Sequence, residues 1–290
     1  MTSAHESTKS SSITSPATTP PRRTLFIFAH QDDEYAAAPW ILEELSTGAS
    51  IACVYLTDGG SRTAPEIRDG ESLGVLHLLG ASDTVIFLNE AGTRIADRAL
   101  AAESMRALRM LENWIESSSF RPSRIYAPSY EGGHPDHDAA HLIAAVVACD
   151  RGILNEAWHF SLYNAYRCRR PFFATLRQLP SNMPARPATL SPAQRWQTAW
   201  LCWRYVSQRK TWLGLFPGAF YERIVARRES VVAFDPARLD MRPHEGELLY
   251  ERLFETSYPR FKSQTAALAM RLAPCTKALD STKRNVPNGD

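Results

Sequence analysis

The sequence predicts an α/β fold of three layers, with a mostly parallel sheet flanked by helices. Three observations predict it. Short apolar runs of strand-forming residues alternate with segments of helical spacing, and the connections between them suit right-handed β–α–β crossovers. The chain is also large enough, at 290 residues with 44% hydrophobic content, to bury a core on both faces of such a sheet.

Residues 1–22 are almost entirely Ser, Thr, Pro and Ala with scattered charges. Such a segment cannot bury enough apolar surface to offset its ordering entropy, so a disordered tail is expected. The run Thr-Leu-Phe-Ile-Phe-Ala at 24–29 has the continuous apolar character of a strand buried on both faces, and its end delivers the chain directly to His30. Residues 39–46 read as a helix, with Pro39 in its first turn and Gly48 just beyond its end. A second buried strand at 50–56 stops at Thr57-Asp58-Gly59-Gly60.

The spacing then predicts a helix over 67–79, a strand over 83–88 and a long amphipathic helix over 99–117. A strand opens at 124–127, an Ala- and Val-rich helix runs over 137–149, and one more strand is expected over 156–163. An irregular Arg- and Pro-rich stretch follows. Residues 192–210 then place Trp196, Trp200 and Trp203 at helical spacing, on a segment that also carries Arg195, Arg204 and Arg209. The expected use of that stripe is core packing, with a wall of the substrate pocket or a peripheral membrane helix as alternatives. The domain organisation expected is a tail at 1–22, one domain over 23–272 with an Arg/Trp-rich insertion around 167–220, and a flexible C-terminal tail at 273–290.

The formal charge of +2, from 33 basic and 31 acidic residues, gives no reason to expect nucleic acid or an anionic membrane as partner. No stretch approaches the roughly 18 apolar residues that an integral membrane segment needs, and the N-terminus lacks the apolar core of a secretory signal. Cys53, Cys149, Cys168, Cys202 and Cys275 are scattered, with no local pair spaced to grip a metal, which suits a reducing cytoplasm.

Two polar clusters carry the chemistry, and each sits where a strand gives way to a loop: Ala29-His30-Gln31-Asp32-Asp33-Glu34 and Gly132-Gly133-His134-Pro135-Asp136-His137. Ligands of open parallel sheets bind just outside the carboxyl ends of strands, so two such clusters are expected to converge. Together they supply three histidines and several carboxylates. That is the requirement of a catalytic zinc site: imidazole and carboxylate ligands, an open position for water, and a further carboxylate to accept the proton of that water. Ferrous iron or cobalt suits the same donors.

The pairing of Ala-His-x-Asp-Asp-Glu after the first strand with His-Pro-Asp-His before a helix resembles the PIG-L / LmbE-like superfamily of zinc-dependent N-deacetylases. Thr57-Asp58-Gly59, Arg68 and Glu71 ahead of Leu73-Gly74-Val75, and Ser207-Gln208 agree with it, so the likeness spans roughly residues 24–210. The resemblance implies a Rossmann-like fold and Zn2+ held by His30, Asp33 and His137. It implies Asp32 as general base, His134 as acid or electrostatic partner, and Asp136 as the group that orients a histidine. Gln31 stands where the family usually has proline, which alters the stiffness of the turn and leaves the ligands in place. The implied reaction is removal of an acyl group, acetyl in the first instance, from an N-acetylated amino sugar or glycoconjugate.

Arg68 is a candidate for substrate binding, or for pairing with a nearby carboxylate, and His244 in Arg242-Pro243-His244-Glu245 is a candidate to line the site from a late loop. His141, four residues after His137, is expected on the helix surface. Two other readings compete: a metal-dependent hydrolase of another bond, such as a phosphoester, and a non-catalytic sugar-binding module. A nucleotide-binding version is weakened because His30 stands where a Gly-x-Gly-x-x-Gly loop would follow the first strand.

Overall fold

A computed structural model describes residues 21–60, 63–88, 94–180 and 184–284. The expected N-terminal tail therefore lies outside the described residues except for 21 and 22. In chain order the elements are β1 (Arg23–Phe28), α1 (Glu34–Ser46), β2 (Ser50–Tyr55), α2 (Pro65–Leu79), β3 (Val85–Phe87), α3 (Ser104–Ser117), β4 (Arg124–Pro128), α4 (Pro135–Asp150) and β5 (Ala157–Phe160). They continue with β6 (Tyr163–Asn164), β7 (Ala174–Thr175), β8 (Arg186–Pro187), α5 (Pro192–Ala199), α6 (Arg209–Phe220), β9 (Ser230–Ala233), α7 (Leu249–Leu253), α8 (Tyr258–Gln264) and α9 (Ala266–Arg284).

The main sheet has the order β3-β2-β1-β4-β5-β9-β8, and β6 pairs with β7 in a separate ribbon. The first five strands run parallel, while β9 is antiparallel to both β5 and β8. Each parallel step needs a crossover, and the helices expected between the strands supply it. The three-layer, mostly parallel fold read from the sequence is what forms. Period-2 alternation along β1 divides the core between the sheet's faces: Leu25 and Ile27 pack with Leu108, Leu111, Ile143 and Leu268, whereas Phe26 and Phe28 pack with Trp40, Ile41, Leu76 and Trp212.

Four expectations change. Helix α1 starts at Glu34 rather than at 39, and Pro39 lies inside it. Proline has no N–H to give the carbonyl four residues earlier, which is Tyr35 O. Arg223 Nη2 fills that role, donating to Tyr35 O at 2.9 Å while the guanidinium pairs with Glu229 and lies 4.2 Å from the Tyr35 ring centroid.

The Trp stripe is also different. Helix α5 ends at Ala199 and gives way to two 3-10 turns, so the three indoles do not form one core-facing row. Trp196 and Trp200 are 55% and 41% exposed, which removes them from the core, and Trp212 on α6 is the buried indole of this region.

At the C-terminus, α9 runs through the boundary expected at 272/273. Cys149 and Cys275 form a disulfide that ties it to α4, and Arg271 pairs with Glu112 at 3.2 Å and with Asp150. A pairing across 126 residues is invisible to a spacing rule, and it withdraws the cysteine argument for a reducing compartment. Lastly, the strand expected over 156–163 is split into β5 and β6. No helix among the described residues is long and apolar enough to cross a membrane.

Arg223 is fully buried, so removing its charge strands Glu229 and orphans Tyr35 O together. Arg223→Met is expected to lower the stability of the protein by about 3–5 kcal/mol in urea unfolding. A loss below about 1 kcal/mol contradicts the role given to this side chain.

Candidate metal centre and active site

The sheet order turns at β1 and β4. β1 connects onward to β2 on one side and β4 continues to β5 on the other, which leaves a crevice beyond their carboxyl ends, bordered by the connection from β3 to α3. His30 leaves the end of β1, and the loop after β4 leads through His134 into α4. Gly133 is needed in that loop because a Cβ there would lie 2.0 Å from the backbone oxygen of Tyr163. Asp138 in the first turn of α4 fastens the loop from the other side, accepting from the N–H groups of Glu131 (2.9 Å) and Gly132 (3.1 Å).

Three donors meet in the crevice. His30 Nδ1 is 3.1 Å from His137 Nε2, His137 Nε2 is 3.0 Å from Asp33 Oδ1, and His30 Nδ1 is 4.0 Å from Asp33 Oδ1. All three side chains are buried. Ligands at zinc-like bond lengths around a tetrahedral centre stand about 3.4 Å apart, and the observed separations bracket that value. Asp33 turns its other oxygen, Oδ2, to the N–H groups of Ala29 (2.8 Å) and His30 (3.0 Å), which fixes the carboxylate and leaves Oδ1 for the centre. Burial pushes the Asp33 carboxyl up, but the neighbouring imidazoles of His137 and His30 outweigh it and hold it below the ordinary range. Two imidazole nitrogens and one ionised carboxylate oxygen converging in this way fit a divalent metal.

The other nitrogen of His30 explains its orientation. His30 Nε2 lies 3.1 Å from Asp136 Oδ2 and 3.2 Å from Asp97 Oδ1. Asp136 is itself held by the N–H groups of Arg98 (2.6 Å) and Leu100 (3.1 Å). Contact with these two carboxylates fixes the ring with Nδ1 aimed at the centre. The histidine that Asp136 meets is thus His30, from the opposite motif. His134 caps α4, its Nδ1 accepting from Asp136 N–H at 3.2 Å, so its own N–H is on Nε2, 3.6 Å from Asp97 Oδ1. Burial, with His30 and His137 adding to it, pushes the His134 pKa well below the ordinary value. Of the two roles expected for His134, acid or electrostatic partner, a neutral ring that offers one N–H suits the second.

Asp32 stands beside the trio and outside it. Its backbone is strained, with φ at 119°, a region that side chains other than glycine's rarely enter. Glu34 Oε2 holds the conformation by accepting from Asp32 N–H at 3.0 Å, and Arg68 Nη2 donates both to Gln31 O and to Asp32 Oδ1, the latter at 3.2 Å. Burial raises the Asp32 carboxyl to about 6 against the opposing pull of Arg68. Of the two uses considered for Arg68, pairing with a carboxylate is the one seen. Gln31 donates to Thr57 O (3.3 Å) and Asp69 Oδ1 (2.6 Å), joining the first turn to the β2 loop and α2. Glu71 accepts from Ser207 Oγ (2.6 Å) and Ser207 N–H (2.8 Å), so two of the weaker motifs form one contact.

His244 is buried in the late loop, its Nδ1 2.7 Å from Glu245 O and its ring against Tyr166, and it belongs to neither cluster of potential ligands among the described residues. His141 is not on the helix surface as expected. It is buried, with Nδ1 2.8 Å from Pro128 O and its ring stacked on Phe234, and burial lowers its pKa to about 4.

Three participants went unread in the sequence. Asp97 reaches both His30 and His134 and is itself placed by Asp58, whose Oδ1 accepts from Asp97 N–H at 3.1 Å. Tyr163 packs edge-on against His137. Glu131 fastens the Tyr163 loop, accepting from the N–H groups of Leu162 (2.7 Å) and Tyr163 (3.0 Å). Neither Asp97 nor Tyr163 belongs to a spaced motif, so spacing held no signal for them.

Residues 25–148, which carry every member of the trio and Asp32, match the family model described as PIG-L: GlcNAc-PI de-N-acetylase. Among solved structures, the fold is similar to a deacetylase triple mutant of the teicoplanin biosynthetic pathway (17% identity, 72% of this chain and 96% of that chain, TM-score 0.55). It is similar too to a zinc-inhibited form of teicoplanin deacetylase (15%, 72% and 96%, 0.52) and to A40926 pseudoaglycone deacetylase (16%, 72% and 94%, 0.51). At these identities the likeness is one of fold. No curated protein matches the chain.

The Arg68–Asp32 contact has a direct test in the metal-free protein. With the cation removed, Arg68→Met is expected to raise the Asp32 carboxyl above its starting value of about 6, read from a carboxyl 13C NMR titration. An unchanged midpoint contradicts the pairing.

Proposed function

We propose that this chain, whose residues 25–148 match the PIG-L family model, is a metal-dependent N-deacetylase: an amide hydrolase acting on an N-acetylated amino sugar or glycoconjugate. The observation that carries the reading is the convergence of His30 Nδ1, Asp33 Oδ1 and His137 Nε2 with Asp32 left free beside them. Zinc is the metal that best suits this donor set, with ferrous iron and cobalt compatible. Held by His30, Asp33 and His137, such an ion supplies Lewis acidity, which polarises an amide carbonyl and acidifies a water molecule.

The remaining steps belong to the chain's own residues. Asp32 takes the proton of the attacking water. A carboxyl raised to about 6 is ionised at neutral pH yet basic enough for the task. The same group can then return the proton to the amine nitrogen as the C–N bond breaks. His134, neutral with its N–H on Nε2, offers a hydrogen bond to the carbonyl oxygen as negative charge builds there. Asp136 and Asp97 keep His30 in the one orientation that directs Nδ1 to the centre. Glu34 and Arg68 keep Asp32 in a strained conformation beside it.

Acetate release from N-acetylglucosamine derivatives by the zinc-loaded protein is the test of the activity. Phosphatase activity without acetate release from a broad panel reverses the reading. Asp32→Asn is expected to bind metal in the wild-type ratio while kcat falls by about 10²–10⁴-fold. Loss of the metal in that variant, or turnover close to that of the wild type, contradicts the role given to Asp32.

A further inference from the structure

Residues 157–221 contain nine Lys and Arg and no Asp or Glu. The formal charge of +2 is therefore the sum of one strongly basic segment and an acidic remainder, and the whole-chain balance says little about this part of the surface. Some of the nine are engaged: Arg186 pairs with Glu43, Arg170 pairs with Glu247, and Arg195 donates to Ala188 O at 3.1 Å and to Arg223 O at 3.2 Å. Arg204, Arg209 and Lys210 are exposed and pair with no carboxylate among the described residues.

Next to these three lies an aromatic cluster that the core does not use. Trp196 of α5 and Trp200 just past its end pack on α6, with ring centroids 5.6 Å apart for Trp196 and Trp200, 5.4 Å for Trp200 and Phe216, and 5.4 Å for Phe216 and Phe220. Arg204 follows Trp203, whose ring is 5.1 Å from that of Phe216. Helical spacing puts Arg209, Leu213, Phe216, Pro217 and Phe220 on one side of α6, and Leu213 is 64% exposed, so the apolar face continues into solvent. Trp212, Leu215 and Ala219 lie on another side and, with Ala36 of α1, line the cavity that adjoins the trio and Asp32. Helix α6 thus has one side on the catalytic crevice and another uncovered.

A contiguous exposed apolar face marks a contact, and its basic rim decides with what. A second copy of the chain, docked about a two-fold axis, sets the same basic residues against one another. Single-stranded nucleic acid takes rings whose faces are free for bases, whereas these rings are turned onto one another and Leu213 gives a base nothing to stack on. An anionic bilayer suits both parts: indole and phenyl rings settle at headgroup level, aliphatic side chains reach the acyl boundary, and Arg and Lys meet the lipid phosphates.

We propose that the α5–α6 face docks the protein on an anionic lipid bilayer, with Trp196, Trp200, Leu213 and Phe220 at the headgroup boundary and Arg204, Arg209 and Lys210 on the lipid phosphates. Of the uses considered for the Trp stripe, this is the peripheral-membrane one. It does not depend on which bond the site hydrolyses, so failure of the amide-hydrolase reading leaves it standing. Because α6 also walls the cavity, docking sets the crevice beside the membrane surface.

The test is sedimentation of the full chain with vesicles of phosphatidylcholine alone and of phosphatidylcholine with about 30% phosphatidylglycerol, beside Trp emission with brominated acyl chains as quencher. The expected result is binding to the anionic vesicles only, with Trp emission shifted to the blue and quenched, and release in molar NaCl, where the Debye length falls to about 3 Å. One Lys or Arg near an anionic surface strengthens binding by about five-fold, so the triple variant Arg204→Glu, Arg209→Glu, Lys210→Glu is expected to lose at least about a hundred-fold. Trp196→Ser with Trp200→Ser is expected to abolish the quenching; the wild-type vesicle comparison decides the matter if either variant does not fold. No binding to the anionic vesicles, or equal binding to both kinds, overturns the inference. So does a dimer in analytical ultracentrifugation that Trp196→Ser with Trp200→Ser dissociates, or tighter binding to a single-stranded oligonucleotide than to the anionic vesicles.

Discussion

The hydrogen-bonded pairing of β1 with β4, in the register Thr24↔Arg124 through Phe26↔Tyr126, is the constraint on which the site depends. The two histidine motifs are separated by about a hundred residues, and only adjacent parallel strands ending at the same level bring them within bonding distance. Because the sheet order turns at this pair, a crevice lies beyond the strand ends, and polar side chains from several connections can be buried there together. The tie between Asp136 and His30 then links the two loops directly, and through Arg98 and Leu100 it draws in the segment that leads to α3.

Burying so many ionisable groups is costly unless each has a partner, and the site shows how that cost is met. Asp33 has two backbone donors, Asp136 has two more, and Asp138 fastens the β4 loop in the same manner. Asp32 is the exception. It has a strained backbone and one guanidinium contact, and its raised carboxyl is the mark of a buried group left partly unsatisfied. Further out, Arg223 performs a structural service of the same kind, satisfying the carbonyl that Pro39 leaves bare and so fastening the segment after α6 to α1. That fastening matters because α1 carries Ala36 and α6 carries Trp212, two parts of one cavity wall.

Much of this was legible in the sequence, for a physical reason. His30, Asp32 and Asp33 follow a strand whose apolar run is unmistakable, and His134, Asp136 and His137 lie at the mouth of an Ala-rich helix. Local pattern therefore fixed both their identity and their placement at strand ends. What was not legible depends on distant partners. Pro39 reads as a helix start, because nothing nearby shows that Arg223 will supply the missing hydrogen bond from 188 residues away. Trp196, Trp200 and Trp203 have core-like spacing, but the 3-10 turn at Leu201–Arg204 breaks the row. Asp97 comes to His30 through Asp58, and the Cys149–Cys275 disulfide joins helices whose packing no spacing rule encodes. Which of its two expected roles His134 suits was not legible either, because its pKa is set by burial beside two other imidazoles.

His30 belongs to two clusters, presenting Nδ1 to Asp33 and His137 and Nε2 to Asp97 and Asp136, with His134 beside them. Anomalous diffraction from crystals loaded with cobalt or zinc separates the two most directly. One ion per chain, bonded to His30 Nδ1, Asp33 Oδ1 and His137 Nε2 with Asp32 unbonded beside it, is the predicted result. An ion seated instead on His30 Nε2, Asp97, His134 and Asp136, or no ordered ion in the crevice at all, contradicts it.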